Sequence, residues 1–200
     1  MKFIGLTGGV GAGKTTVLKA MKQLWRVRIL IADEIAHEQM EPGTPCYKKL
    51  HEVFGADDIW LRDGSIDRQG LARLLFSNDE KRKRLNEIVH PAVKQYILGE
   101  VEKERQAGSY DYVIVEAALL IEEHYDELCD ELWYVYASEE TRKKRLMADR
   151  GYSAEKVDQI FAAQLPEAVY RQHCAVVIDN ERDMDHVLEQ ITRLYANEEK

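Results

Sequence analysis

The run Gly8-Gly9-Val10-Gly11-Ala12-Gly13-Lys14-Thr15 matches the pattern G-x-x-x-x-G-K-[ST] in full. Glycines let successive backbone N–H groups turn inward around an anion. A helix that starts at the lysine adds its unpaired donors and the positive end of its dipole. The chemistry this permits is the gripping of a triphosphate. Gly9, Gly11, Ala12, Gly13, Lys14, Thr15 and Thr16 are the expected nucleotide contacts, with Lys14 reaching the β- and γ-phosphates and the Thr15 hydroxyl ligating Mg²⁺. The pattern does not say where the γ-phosphate goes, because kinases, GTPases and motor ATPases share it.

Other residues narrow the choice. A GTPase reads guanine with an Asn-Lys-x-Asp segment, and none occurs. Asp67-Arg68-Gln69-Gly70 mimics a switch motif but follows a turn rather than an apolar strand. A small-molecule kinase needs an acceptor site at the carboxyl ends of its strands and an arginine-bearing lid. Asp33 ends an apolar run and is placed to accept the proton of an attacking hydroxyl, the other reading being a helix N-cap carboxylate. Glu116 ends another apolar run, where an acid holds Mg²⁺ through a water; the alternative is a solvated loop acid. Within 141–151, Arg142 and Arg145 share a helix face, and Arg145 and Arg150 bracket a turn. Guanidinium groups suit a lid because they stay charged and bond two phosphoryl oxygens at once, although a solvated basic helix has the same pattern.

The elements that must position these groups are legible in the hydrophobic pattern. Apolar runs at 3–6, 27–32, 112–115, 132–137 and 175–178 are nearly continuous, as in buried parallel strands, and helical patterns follow them. Ser138 and Asp183 are expected N-caps. Alternation of this kind predicts an α/β fold of the P-loop NTPase type: a five-stranded parallel sheet flanked by helices. The whole chain, 1–200, is expected to form a single domain, with a helical acceptor-binding insert at about 34–110 and a helical lid at about 139–165. Breaks in the insert are expected at Glu41-Pro42-Gly43-Thr44-Pro45, at Asp63-Gly64-Ser65 and at His90-Pro91.

The bulk numbers agree with such a chain. Two hundred residues at 45% hydrophobic content suit one globular domain, and a 32% charged fraction without a long apolar run argues against a membrane span. A net charge of −8 argues against a general nucleic-acid binder. The basic run Lys81-Arg82-Lys83-Arg84 lies among acids and reads as a solvated helix face. The cysteines at 46, 129 and 174 suggest neither a disulfide framework nor a zinc site. With no leader pattern at the start, a cytoplasmic location is expected.

The motifs taken together resemble the dephospho-coenzyme A kinase family nearly end to end. The matching segments are Leu6 to Thr15, Ala32-Asp33-Glu34-Ile35-Ala36, the distinctive Glu41-Pro42-Gly43-Thr44-Pro45, Phe54-Gly55, Asp63-Gly64-Ser65-Ile66-Asp67-Arg68 with Leu71 and Phe76, His90-Pro91, Leu119-Leu120 with Glu122, and Val177-Ile178-Asp179-Asn180. The resemblance implies ATP-dependent phosphorylation of the ribose 3'-hydroxyl of dephospho-coenzyme A, with Mg²⁺. The alternative is another small hydroxyl acceptor, such as a nucleotide. It also implies Asp33 as general base alongside Lys14 and Arg145, and ATP contacts from Arg150 and Asn180. Arg68, His90 and Leu119 fall on the acceptor side, Thr15 and Glu116 on the metal side. A monomer or weak homo-oligomer is expected, with no nucleic-acid or membrane partner.

The chain departs from the family pattern at several positions. Ile31-Ala32-Asp33 replaces the usual Asp-Ala-Asp, so one carboxylate is gone while the expected base remains. Ala118-Leu119-Leu120 stands for Pro-Leu-Leu, preceded by Glu116 where an apolar residue is usual. The lid's Arg-Asp pair is reversed to Asp149-Arg150, and the arginine expected after Gln164-Leu165 is displaced toward Arg171.

Overall fold

A computed structural model describes residues 1–198. Five strands form one sheet in the order β2-β3-β1-β4-β5: β1 is Lys2–Thr7, β2 Val27–Ile31, β3 Tyr112–Glu116, β4 Glu131–Tyr136 and β5 Val176–Asp179. β1 pairs parallel with both β3 and β4, and β4 with β5, so the expected five-stranded parallel sheet holds. The central position of β1 follows from its composition, since Phe3, Ile4 and Leu6 are wholly buried. The chain leaves β1 toward the β2 edge, and the connection from β3 then crosses to β4 on the other side of β1. This is the switch point at which open α/β sheets bind ligands, and the glycine-rich loop begins there.

The described chain divides into two compact units. The first comprises Met1–Leu30 and the chain from Glu104 onward. Helix α1 (Lys14–Leu24) buries Val17, Leu18, Ala20 and Met21 and packs against α9 (Met184–Glu198). Trp25, just past α1, meets Tyr112 at 4.6 Å and the edge of Trp133 at 5.6 Å between ring centroids, tying three elements together. The expected lid is two helices, α6 (Glu139–Arg150) and α7 (Ala154–Ala162), parted by Gly151 at φ 63°. Ser138 caps α6, accepting from the Thr141 N–H, and Asp183 accepts from the His186 N–H at the start of α9, as expected for both. A short helix α8 (Glu167–His173) leads into β5, and its Tyr170 stacks on Tyr134 of β4 at 4.8 Å.

The second unit, Ile31–Lys103, is helical: α2 (Ala32–Gln39), α3 (Pro45–Phe54), α4 (Arg68–Phe76) and most of α5 (Asp79–Ala107). Thr44 caps α3 and Asp67 caps α4 through their side-chain oxygens. The Pro42 and Gly64 segments interrupt the helices as expected. His90-Pro91 does not, because α5 runs straight through it. Leu85, Val89, Val93, Ile97 and Val101 recur every fourth residue and are buried on one stripe of α5. Burying a large apolar side chain gains about 1.5–3 kcal/mol. Five of them outweigh the ~3 kcal/mol penalty of an internal proline. The run 81–84 lies in the first turns of this helix, where Arg82 and Arg84 are exposed and pair with Asp79 and Glu80, whereas Lys81 is half-buried and bonds Asp57, so the run is a solvated face only in part. No helix among the described residues is long and apolar enough to cross a membrane.

Candidate active site

The loop between β1 and α1 closes on itself through the Ala12 N–H, which donates to the Gly9 carbonyl at 3.0 Å. Gly11 and Gly13 hold φ 85° and 87°, a region that costs an L side chain about 1–2 kcal/mol. At Gly13 the neighbours forbid a side chain as well, because a Cβ would run into the Asn180 amide. The first turn of α1 carries no acidic residue and Gly13 gives no side-chain cap, so the dipole and the N–H groups ahead of Thr16, whose own N–H donates to the Gly13 carbonyl at 2.9 Å, are left for an anion. Lys14 folds back over the loop: Nζ donates to the Gly8 carbonyl at 3.0 Å and lies 3.3 Å from the Glu116 carboxylate at the end of β3. Thr15 is exposed and Thr16 half-buried at the mouth of this turn.

The outer carbonyls of the loop are held by α6 and by the segment after β5. Asn180, 4% exposed, donates from Nδ2 to the Ala12 carbonyl at 2.7 Å. Arg145 donates to the Asn180 carbonyl at 2.8 Å and more weakly to that of Ala12 at 3.4 Å. Arg142 donates from Nε to the Val10 carbonyl at 3.0 Å and from Nη2 to Gln164, and its guanidinium lies 4.3 Å over the Phe161 ring. Burial lowers its pKa from the ordinary arginine value. Glu181 fastens the start of α6, accepting from the Ser138 N–H at 2.7 Å and from the hydroxyls of Ser138 and Thr141 at 2.8 and 2.5 Å. These donors, the Thr141 hydroxyl first, hold its carboxyl below the ordinary carboxylate range.

The glycine loop, Lys14, Glu116, Arg145 and Asn180 thus come together in the first unit. Arg150, the last residue of α6, is exposed, where its charge complements the helix carboxyl end. Leu119 is 46% exposed beyond β3. In the second unit, Asp33 is an exposed first-turn residue of α2; the N-cap is Ile31, so the carboxylate does not cap the helix. Arg68 pairs with Glu41 at 3.2 Å, and His90 is half-buried within α5. Among the described residues no group of three or more His, Cys, Asp or Glu is arranged to hold a metal ion. The contacts of Phe161 and Glu181 leave no signal in the sequence, because each lies far along the chain from its partner and matches no motif; Gln164 belongs to a segment of the family pattern, which does not reveal its bond to Arg142.

Comparison with known proteins agrees with this architecture. A family model described as dephospho-CoA kinase matches residues 2–186. A dephospho-CoA kinase of Carboxydothermus hydrogenoformans is 38% identical over 96% of this chain and 91% of its own length. That of Geobacter sulfurreducens is 36% identical over 98% of each chain. The solved structure of dephospho-CoA kinase from Campylobacter jejuni, 20% identical, superimposes with a TM-score of 0.72 over 97% of this chain and 95% of that one, a likeness of fold. With a matching model along nearly the whole chain and relatives above one-third identity, the chain belongs to the dephospho-CoA kinase family.

Proposed function

We propose that this chain transfers the γ-phosphoryl group of ATP to the ribose 3'-hydroxyl of dephospho-CoA, releasing ADP and coenzyme A. The observation that carries the nucleotide half is the glycine loop, closed on the N-terminus of a helix without an acidic first turn, with Lys14 folded over it. Family membership carries the acceptor half, and favours dephospho-CoA over a nucleotide.

In this reading the backbone N–H groups between Gly9 and Thr16 that are not bonded within the loop, and the Lys14 ammonium, hold the β- and γ-phosphates. Lys14 then leaves Glu116 for a ligand of higher charge. Asp33 takes the proton of the 3'-hydroxyl as its oxygen bonds to the γ-phosphorus, and the bond from that phosphorus to the bridging oxygen breaks, the electron pair leaving with ADP. Arg145 and Arg150 supply positive charge on the lid side, and Asn180 borders the adenine. Arg68, His90 and Leu119 serve the acceptor. The Thr15 hydroxyl and Glu116 fit a hard cation by donor type, and Mg²⁺ bound there with the phosphates would offset their charge. Most of the rate gain is positioning and electrostatics. The insert at 34–110 binds the acceptor and the helices at 139–165 act as the lid. The enzyme works in the cytoplasm as a monomer or weak homo-oligomer, without nucleic-acid or membrane partners.

The test is incubation with Mg-ATP and, separately, dephospho-CoA, nucleoside monophosphates and shikimate, following ADP and the phosphorylated product. Coenzyme A formed only in the first mixture is the expected result. ADP release that does not depend on dephospho-CoA would overturn the assignment.

A further inference from the structure

A planar trans peptide points its C=O and the following N–H in opposite directions. A carbonyl drawn outward from the glycine loop therefore turns the next amide inward. The Ala12 carbonyl is drawn outward by Asn180 and Arg145, which turns the Gly13 N–H in. The Val10 carbonyl is drawn outward by Arg142, which does the same for the Gly11 N–H. The amide between them, on Ala12, is already spent on the Gly9 carbonyl. The alternate amides at 11 and 13 are thereby left for an anion, each set by the group gripping the carbonyl behind it.

Arg142 suits this role in ways a lysine would not. Its flat fork reaches two acceptors, the Val10 carbonyl and the Gln164 side chain, while its face covers Phe161. Gly9 completes the fit, because a Cβ there would run into the guanidinium. Phe161 lies in the last turn of α7 and Gln164 just beyond it, so the guanidinium joins the crest of the loop to the far arm of the lid. A cavity of about 260 Å³, bordered by Arg142, Phe161, Gln164, Tyr134 and Tyr170, opens beside it.

We propose that Arg142 is a positioning residue for nucleotide binding: through the Val10 carbonyl it fixes the Gly11 N–H toward the triphosphate and makes that alignment depend on the end of α7. The inference rests on the reading that this loop grips ATP. It assigns Arg142 no contact with the phosphates.

The test is an equilibrium titration of the full chain with ATP alone, comparing the parent with Arg142→Lys and Arg142→Ala, with and without millimolar ethylguanidinium. Amide NMR of Gly11 and thermal melting accompany it. Both substitutions are expected to weaken ATP about tenfold or more. Ethylguanidinium, entering the space beside Phe161, is expected to restore Arg142→Ala but not Arg142→Lys. The Gly11 amide resonance should move in the variants before any ATP is added. Unchanged ATP affinity in both variants would overturn the proposal, as would ethylguanidinium raising the melting temperature of Arg142→Ala without recovering ATP binding. Should Arg142→Ala not fold, Arg142→Lys and its Gly11 resonance decide the matter. A parent chain that binds no ATP refutes the loop reading itself, a result distinguishable from variants that bind as the parent does.

Discussion

Lys14 lies 3.3 Å from Glu116, and their side chains are only 14% and 16% exposed. Half-buried charges are costly unless paired, so the carboxylate neutralises the ammonium when no phosphate is present. Two roles for Glu116 then predict different behaviour. If it also helps hold Mg²⁺, Glu116→Gln raises the Mg²⁺ concentration for half-maximal activity by about tenfold or more, the usual size of an outer-sphere effect. If it serves Lys14 alone, the variant binds ATP more tightly and its Mg²⁺ requirement does not move. We expect the first outcome, measured by Mg²⁺ titration of the initial rate at saturating ATP.

Asp33→Asn keeps the size of the side chain and the start of α2 but removes the base. Turnover is expected to fall by about a hundredfold or more, in the range of general-base contributions. ATP affinity should stay within about twofold, since a loss confined to the reacting hydroxyl spares nucleotide binding. Single-turnover rates and ATP titration separate the two. Equal loss in both would make the carboxylate structural. The side chain already fails to cap α2, so it has no visible structural task.

How far the sequence reveals this molecule follows from the range of each interaction. The strands and the glycine loop are local: continuous apolar runs and a motif of consecutive residues specify them, and they fall where expected to within a residue or so. Ser138 and Asp183 cap as expected because a cap involves only the next three residues. Pro91 misleads because the force that overrides it, the buried stripe from Leu85 to Val101, acts over the whole helix. Arg142 was legible as a lid arginine but not as the partner of Val10, 132 residues away. Likewise Asn180 was expected at the adenine by resemblance, whereas its contact with the Ala12 carbonyl, 168 residues off, needs the sheet order that sets β1 two strands from β5.

Two glycines with left-handed backbones separate strain from steric conflict. Gly13 (φ 87°) has Asn180 where a Cβ would go, whereas Gly108 (φ 64°) has open space. Gly108→Ala is expected to cost only the conformational term, about 1–2 kcal/mol of stability, with ATP binding unchanged. Gly13→Ala adds the collision, which must push Asn180 off the Ala12 carbonyl and turn the Gly13 N–H, so ATP affinity should fall beyond detection while the chain remains folded. Denaturant melts paired with ATP titrations check both, and equal effects of the two variants on ATP binding would refute the argument.

Alkaline pH probes the core rather than the site. Burial raises the Cys129 and Cys174 thiols to about 12 from an ordinary 9.0, and the Tyr125 and Tyr134 phenols to about 12 from 10.0. Below pH 9 these groups are protonated whether or not the chain is folded, and their contribution to stability is complete. Above it the unfolded chain releases protons that the native chain retains, so the unfolded state binds fewer protons and stability falls with each further step toward pH 12. The urea midpoint should therefore be level near neutrality and decline from about pH 9 upward. Cys129→Ala with Cys174→Ala removes two of these titrating groups and should make that decline shallower, although the substitutions lower stability at every pH. At about pH 8 both thiols should resist iodoacetamide in the native chain and react once it is unfolded, read by mass spectrometry. A native chain alkylated at Cys129 or Cys174 as fast as an unfolded one would show that these sulfurs are not buried in solution, and the alkaline decline would then need another cause.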